Sequence, residues 1–299
     1  SAVSLNGEAA VILDNNRRKS EFNMNRIICP KCKEPLIKQN KSFKCVNGHC
    51  FDIAKEGYAN LLLSNKSGEF IGDSKKMAKS RRDFLSKGYY GVLAEEILKI
   101  ISFYDIPSPF ICDVCCGEGY YSSFLAERIP QSTVCGFDIS KEMIKLAAKR
   151  KSKASYFVAN MTTLPLENEC ADFVLHLFAP FNESEISRIM KKCGILISVS
   201  PGENHLLSLK KVLYDKAYLN EENTLKTDNL VLCGQKKISN KIKLLSQEDI
   251  SALFKMTPYY YHCPKDGAQR LENLEKLETE TEFIINIFKT KELFNGKDL

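Results

Sequence analysis

Phe110-Ile111-Cys112-Asp113-Val114-Cys115-Cys116-Gly117-Glu118-Gly119-Tyr120 decides the fold of this chain. The segment from Phe110 to Cys116 is apolar except for Asp113, the pattern of a strand buried on both faces. It runs through two glycines into Tyr120 to Arg128, which has helical spacing. Glycine is required at such a turn because a β-carbon would collide with a ligand lying across the strand end. The helix that follows offers unpaired N–H groups at its first turn.

Working outward, Thr133 to Ile139 reads as a second strand, Lys141 to Arg150 as a helix and Tyr156 to Met161 as a third strand. Ala171 to Phe178 and Ile195 to Ser200 are further strands, with a helix from Glu183 to Lys192 between them. Strands separated by single helices imply a parallel sheet covered on both faces. Beyond Ser200 the pattern changes. Leu230 to Leu245 has β tendency, Glu248 to Lys255 reads as a short helix and Tyr259 to His262 is an aromatic run. A last acidic and apolar helix is expected around Glu272 to Lys289. The fold class that follows is α/β, Rossmann-like, a mostly parallel sheet with an antiparallel edge.

A G-x-G turn alone is weak evidence for a ligand. Here Asp113 stands on the first strand, and Asp138 closes the second, nineteen residues after Gly119. An acid at the end of strand two is placed for ribose hydroxyls. A pyrophosphate binder requires the longer G-x-G-x-x-G turn, and the third residue after Gly119 is Ser122. A methyl donor carries no phosphate, and D-x-x-x-G-x-G is the form used by class I methyltransferases. S-adenosylmethionine is therefore expected in preference to a nicotinamide dinucleotide, with Asn160 and Met161 beside its adenine. A plain helix cap is the alternative role for either acid.

Upstream, Cys29-Pro30-Lys31-Cys32 is followed after twelve residues by Cys45 and then His49, the C-x2-C…C-x3-H spacing of a tetrahedral zinc site. Cys50 competes with His49 as fourth ligand, but successive side chains point apart and His49 is favoured. A metal-free cluster of buried thiols is the alternative; Lys31, Lys33, Lys38, Lys41 and Lys44 make the stretch too polar for that.

The 299 residues, 44% hydrophobic and 27% charged, suffice for one domain of ordinary size with small appendages. No apolar run approaches the ~20 residues of a membrane-spanning helix, so no membrane partner is expected. Twelve cysteines in a long chain without a signal peptide fit a reducing cytoplasm better than a disulfide framework. The net charge of +6 is modest. Its distribution is more informative: lysines crowd the zinc segment, and Lys75, Lys76, Lys79, Arg81, Arg82 and Lys87 form a second basic group. Either could hold a phosphate backbone or be a solvated face. Residues 1–23 carry no pattern and are read as an added leader before a native start at Met24, with a disordered native tail as the alternative. Residues 24–66 then form the zinc module, 67–105 a linker with helices, and 106–299 the sheet domain. Ser64 to Gly72 reads as a flexible loop, Asp73 or Ser74 as the cap of a helix ending at Lys87 and Gly88, and Val92 to Phe103 as another helix.

These residues resemble one family, the bacterial 23S ribosomal RNA guanine-N1 methyltransferases of RlmA type. The resemblance runs from Cys29 to roughly Phe288. It rests on the zinc motif, F-D-x-A-K-E-G-Y-x-N-L-L at Phe51 to Leu62, and G-D-S…M…R-R-x-F-L-x-x-G-x-Y from Gly72 to Tyr90. It continues with G-E-G-Y-Y at Gly117 to Tyr121, Ala179-Pro180, P-G-x-x-H-L at Pro201 to Leu206, and Met256 to Pro258. The family departs from this chain at Cys115, where its first strand usually has glycine. The resemblance implies that Cys29, Cys32, Cys45 and His49 bind Zn2+, and that Tyr90, the turn Gly117, Glu118, Gly119 and Tyr120, Asp138 and His205 bind the donor. It implies methylation of N1 of a guanine in a domain II hairpin of 23S rRNA. The 23S rRNA hairpin is thus the expected partner, and a homodimer is the self-association left open.

Guanine N1 becomes nucleophilic as its proton leaves, which calls for a base or a water. His176, at the end of strand four, is the expected catalytic base; His205 is preferred as a donor contact. The base must be turned out of its pairing, and Phe178, Phe181 and Tyr90 are candidates to stack on it. Of Arg81 and Arg82, one is expected to face RNA and the other to pack within the protein. The zinc module is expected to be separable from the sheet. A small-molecule methyltransferase with an accessory zinc module is the alternative, and it leaves the lysine-rich module unexplained. A binding protein on an inactive methyltransferase fold is opposed by the intact Asp113, Gly117, Gly119 and Asp138.

Overall fold

In the computed structural model, which describes residues 26–63, 74–221 and 225–291, Phe110–Val114 (β5) is buried at every position. It pairs in parallel with Thr133–Asp138 (β6) on one side and Ala171–Leu177 (β8) on the other. Ser155–Val158 (β7) extends the sheet beyond β6, and Met190–Pro201 (β9) beyond β8, both parallel. Two long antiparallel strands, Leu277–Thr290 (β11) and Leu230–Leu244 (β10), complete that side. At the opposite rim lies Ala59–Asn60 (β4), giving the order β10-β11-β9-β8-β5-β6-β7-β4. The expected leader at 1–23, Met24, the loop Ser64 to Gly72, Lys66 and a cap at Asp73 lie outside the described residues.

The connections are helical and their caps are written in the sequence. Lys75–Ser86 (α1) is capped by Ser74, whose hydroxyl accepts from the Met77 N–H at 3.3 Å. Gly91–Phe103 (α2) follows, then Tyr120–Arg128 (α3) after β5 and Lys141–Ala148 (α4) after β6. Glu183–Ile189 (α5) is capped by Asn182, and Leu207–Leu213 (α6) follows β9. Gln247–Met256 (α7), Tyr259–His262 (α8) and Lys265–Glu272 (α9) lie between β10 and β11.

Two sequence expectations are corrected here. The helix expected to Lys192 ends at Ile189, because Met190 already enters β9. The helix expected over Glu272 to Lys289 is instead the end of α9 followed by the 14-residue strand β11. Leu277, Thr279 and Thr281 are buried while Glu278 and Glu280 between them are not, the alternation of a strand, and only from Thr281 to Asn286 is every residue buried.

The zinc segment forms its own small sheet, Ile37–Gln39 (β1), Ser42–Lys44 (β2) and Cys50–Asp52 (β3), all antiparallel. Its apolar side chains pack into the core of the main sheet. Ile27, Cys29, Leu36, Phe43 and Cys45 belong to one apolar cluster with Phe110, Phe137 and Phe157 beneath the main sheet. The Phe43 and Phe157 rings lie 5.6 Å apart, and β4 pairs with β7.

Candidate active site and metal centre

Two tight turns carry the ligand pairs of the metal centre. The N–H of Lys33 donates to the carbonyl of Cys29 at 2.8 Å, and that of Gly48 to Cys45 at 3.0 Å. Gly48, at φ +79°, supplies the left-handed residue the second turn needs. The Sγ atoms of Cys29 and Cys45 each lie 3.5 Å from Nδ1 of His49, and Cys32 Sγ lies 3.7 Å from Cys45 Sγ. All four donor atoms fall within 4.8 Å of one another, while Cys50 is exposed on β3. Three thiols and an imidazole converging on one point fit a tetrahedral zinc, with His49 as fourth ligand. The N–H of Glu34 is the main reason that the Cys32 thiol titrates at about 6.

At the end of β5, Asp113 is almost fully buried and accepts from the Ser122 hydroxyl. Burial raises its titration to about 7, and Asp138 adds to the rise. Asp138 accepts the N–H of Gly117 at 2.9 Å on one oxygen and that of Ser140 at 2.8 Å on the other, which ties the ends of β5 and β6 together. The two glycines serve different ends. A β-carbon on Gly119 would lie 2.7 Å from Ala147 and 2.8 Å from the Tyr156 hydroxyl, so this glycine lets α3 pack. Gly117 faces the guanidinium of Arg81, 3.4 Å from where a β-carbon would stand. Cys115 adopts φ +58°, the left-handed conformation that explains why glycine suits this position, and its thiol lies 3.4 Å from Met161 Sδ. Asn160 is spent locally, accepting the N–H of Thr162 at 3.0 Å.

Glu118 and Tyr120 turn toward Arg150. Its Nε donates to Glu118 at 2.8 Å and its guanidinium lies 5.4 Å from the Tyr120 ring. One Glu118 oxygen remains buried without a partner. Arg81 and Arg82 both turn inward, Arg81 to the Met256 carbonyl at 3.4 Å and Arg82 to that of Leu146. The expected outward arginine is therefore corrected: successive residues on α1 diverge, but α4 and α7 flank the helix on both sides.

Residues 27–67 match the family described as "RlmA, N-terminal", a zinc ribbon, and residues 111–197 match "Methyltransferase domain". The chain is 28% identical to a 23S rRNA (guanine(748)-N(1))-methyltransferase of Streptomyces fradiae, over 85% of this chain and 92% of that one. It is 27% identical to a putative 23S rRNA (guanine-N(1)-)-methyltransferase of Bacillus subtilis, over 88% and 95%. The chain joins an RlmA-type zinc ribbon to a class I methyltransferase domain. S-adenosylmethionine and zinc are its cofactors by fold and donor set.

The methyltransferase domain holds both candidate histidines neutral. Nδ1 of His205 accepts the N–H of Glu282 at 3.1 Å, so its proton sits on Nε2, which faces the Tyr90 hydroxyl at 3.2 Å. Burial lowers the His205 titration to about 4. Nε2 of His176 donates to the Pro180 carbonyl at 3.0 Å, and Nδ1 accepts from Ser198 at the same distance. Burial lowers its titration too. The expected base, His176, is a buried ring with both nitrogens engaged within the protein. Of the aromatic candidates, Phe178 is 44% exposed at the end of β8, Phe181 packs against His176 at 5.3 Å, and Tyr90 is buried. Sequence reasoning missed Arg81 as a neighbour of the donor turn and Arg150 as its brace. The paired spacing of Arg81 and Arg82 was the available signal.

Proposed function

We propose that this methyltransferase transfers a methyl group to N1 of a guanine in a domain II hairpin of 23S rRNA, in the cytoplasm. The observation that carries the reading is an RlmA-type ribbon and a complete donor turn in one chain, aligned nearly end to end with relatives named for guanine-N1 methylation of 23S rRNA. S-adenosylmethionine supplies an electrophilic methyl group. Asp138 receives its ribose hydroxyls, Gly117 gives it room, Gly119 lets the helix behind it pack, and Asp113 faces its cationic end. Met161 with Asn160 borders the adenine. The Tyr90 hydroxyl accepts from His205, which leaves its own proton to donate into the site. Phe178 stacks on the flipped guanine, and the N1 proton leaves to water, since both histidines are committed within the protein.

Mapping methylated guanines in 23S rRNA from cells with and without this enzyme tests the reading. The expected result is one N1-methylguanine in domain II that disappears with the enzyme. An unchanged methylation map would refute it.

A further inference from the structure

The RNA reading leaves a second basic surface without a role. Helices α1 and α7 run antiparallel, with Arg81 reaching Met256 and Lys87 reaching Asp249. Between them lies an open groove of ≈ 860 Å³. Its charge is divided. Lys76, Lys79 and Lys255 line one end, whereas Asp83, Glu248 and Asp249 stand at the other, with Lys87 paired to Asp249.

The lysine end abuts α8. Tyr261 is 60% exposed and its hydroxyl reaches Met77 of α1. Its ring centroid lies 5.4 Å from that of Tyr260, over which Lys76 Nζ stands at 5.8 Å. Tyr260 in turn packs on Phe254 of α7 at 5.5 Å, so the exposed tyrosine is mounted on a fixed aromatic base. Tyr259 faces the other way, toward Tyr214 at 6.3 Å. An exposed ring beside lysines combines what a single-stranded nucleotide needs, a face for stacking and cations for its phosphates. The surface is also close to the chemistry: α1 carries Lys76 and Lys79 and, through Arg81, comes up to the donor turn at Gly117.

We infer that Tyr261, supported by Tyr260 and standing next to the end of the groove lined by Lys76, Lys79 and Lys255, is an RNA-docking face on which an unpaired base of the substrate hairpin stacks. The inference rests on the rRNA reading, and it adds a contact remote from the zinc ribbon.

The test is equilibrium binding of a domain II hairpin transcript across a salt series, with donor binding, melting temperature and methylation as controls. Tyr261→Ala should weaken RNA binding about tenfold, within the range for losing one base–aromatic stack, and leave the salt slope unchanged. Tyr261→Phe should stay within about twofold of the parent, since the ring does the stacking. The double variant Lys76→Ala/Lys255→Ala should lower the slope of log affinity against log salt by about 1.4, two single-strand contacts at ~0.7 each. That variant decides the matter if Tyr261→Ala fails to fold. Unchanged RNA affinity and salt slope in folded variants, with the parent still methylating the transcript, would overturn the docking face and leave the rRNA reading standing. A parent protein that binds the transcript no better than an unrelated hairpin and does not methylate it would overturn both.

Discussion

Nε2 of His205 donates to the hydroxyl oxygen of Tyr90 at 3.2 Å, and the direction of that bond is fixed from the far side of the ring by the Glu282 amide. A backbone N–H can only donate, so Nδ1 must accept. The pair joins the segment after β9 to the start of α2, with Phe283 packed on both rings at 4.9 Å.

Stability should therefore depend on His205 in mild acid. Its titration is depressed to about 4 in the fold, against about 6.5 in an unfolded chain. Between those values the unfolded state binds a proton that the fold refuses, so stability falls as pH drops from 6.5 to 4. The contribution is about 3 kcal/mol at 1.36 kcal/mol per unit. Chemical denaturation of the parent and His205→Asn at several pH values should show a shallower decline for the variant. Parallel curves would rule out the bonded arrangement.

Asp113 shows the opposite linkage. Burial raises its titration to about 7 in the fold, against about 3.9 unfolded. As pH rises through that window the unfolded chain gives up its proton first, so stability declines. Asp113→Asn should flatten the decline and weaken donor binding by tenfold or more, as expected for a lost contact to a charge. Calorimetry in two buffers of different ionisation enthalpy should also show proton release when the cationic donor binds near pH 7. Heats independent of the buffer would exclude that coupling.

Cys115 holds a conformation that side chains adopt at a cost of ~1 kcal/mol or more. Cys115→Gly should raise the melting temperature slightly, whereas the β-branched Cys115→Val should lower it by several degrees. Equal melting temperatures for the two variants would show that the backbone there relaxes freely.

Removing zinc should unsettle more than the ribbon. Phe43 and Leu36 share a core with Phe137 and Phe157, so chelation or Cys32→Ser should lower the melting temperature of the whole protein in one transition and weaken donor binding with it. Two separate transitions, the upper one unmoved, would show that the modules unfold independently.

The parts legible in sequence were those governed by local rules. The parallel strands, the turn Gly117 to Gly119 and the C-x2-C…C-x3-H ligands each announce themselves through spacing or a residue type that the backbone demands. β11 carries its own signal in the alternation of Leu277, Thr279 and Thr281 with Glu278, Glu280 and Glu282, which has period two and not the helical period; the continuous apolar run Phe283 to Phe288, broken only by Asn286, gives no period that separates strand from helix. The partners of the histidines and arginines are hidden from the sequence for a related reason. What Arg82 can do depends on the Leu146 carbonyl several elements away, and His176 is set by Ser198 on the neighbouring strand as well as by Pro180 just beyond its own, and no periodicity records either.

The two rims of the large sheet are guarded unequally. Along β10, Lys236, Lys237, Lys241 and Lys243 and a bulge between Leu232 and Gly234 discourage another strand from adding. Among the described residues, the rim at β7 is covered by the two-residue strand Ala59–Asn60, which follows directly on the folded ribbon. A newly made chain that has not yet captured its metal thus leaves a bare strand edge open to other chains. Timely zinc supply becomes a safeguard against aggregation during synthesis, apart from any part the ribbon plays in gripping RNA.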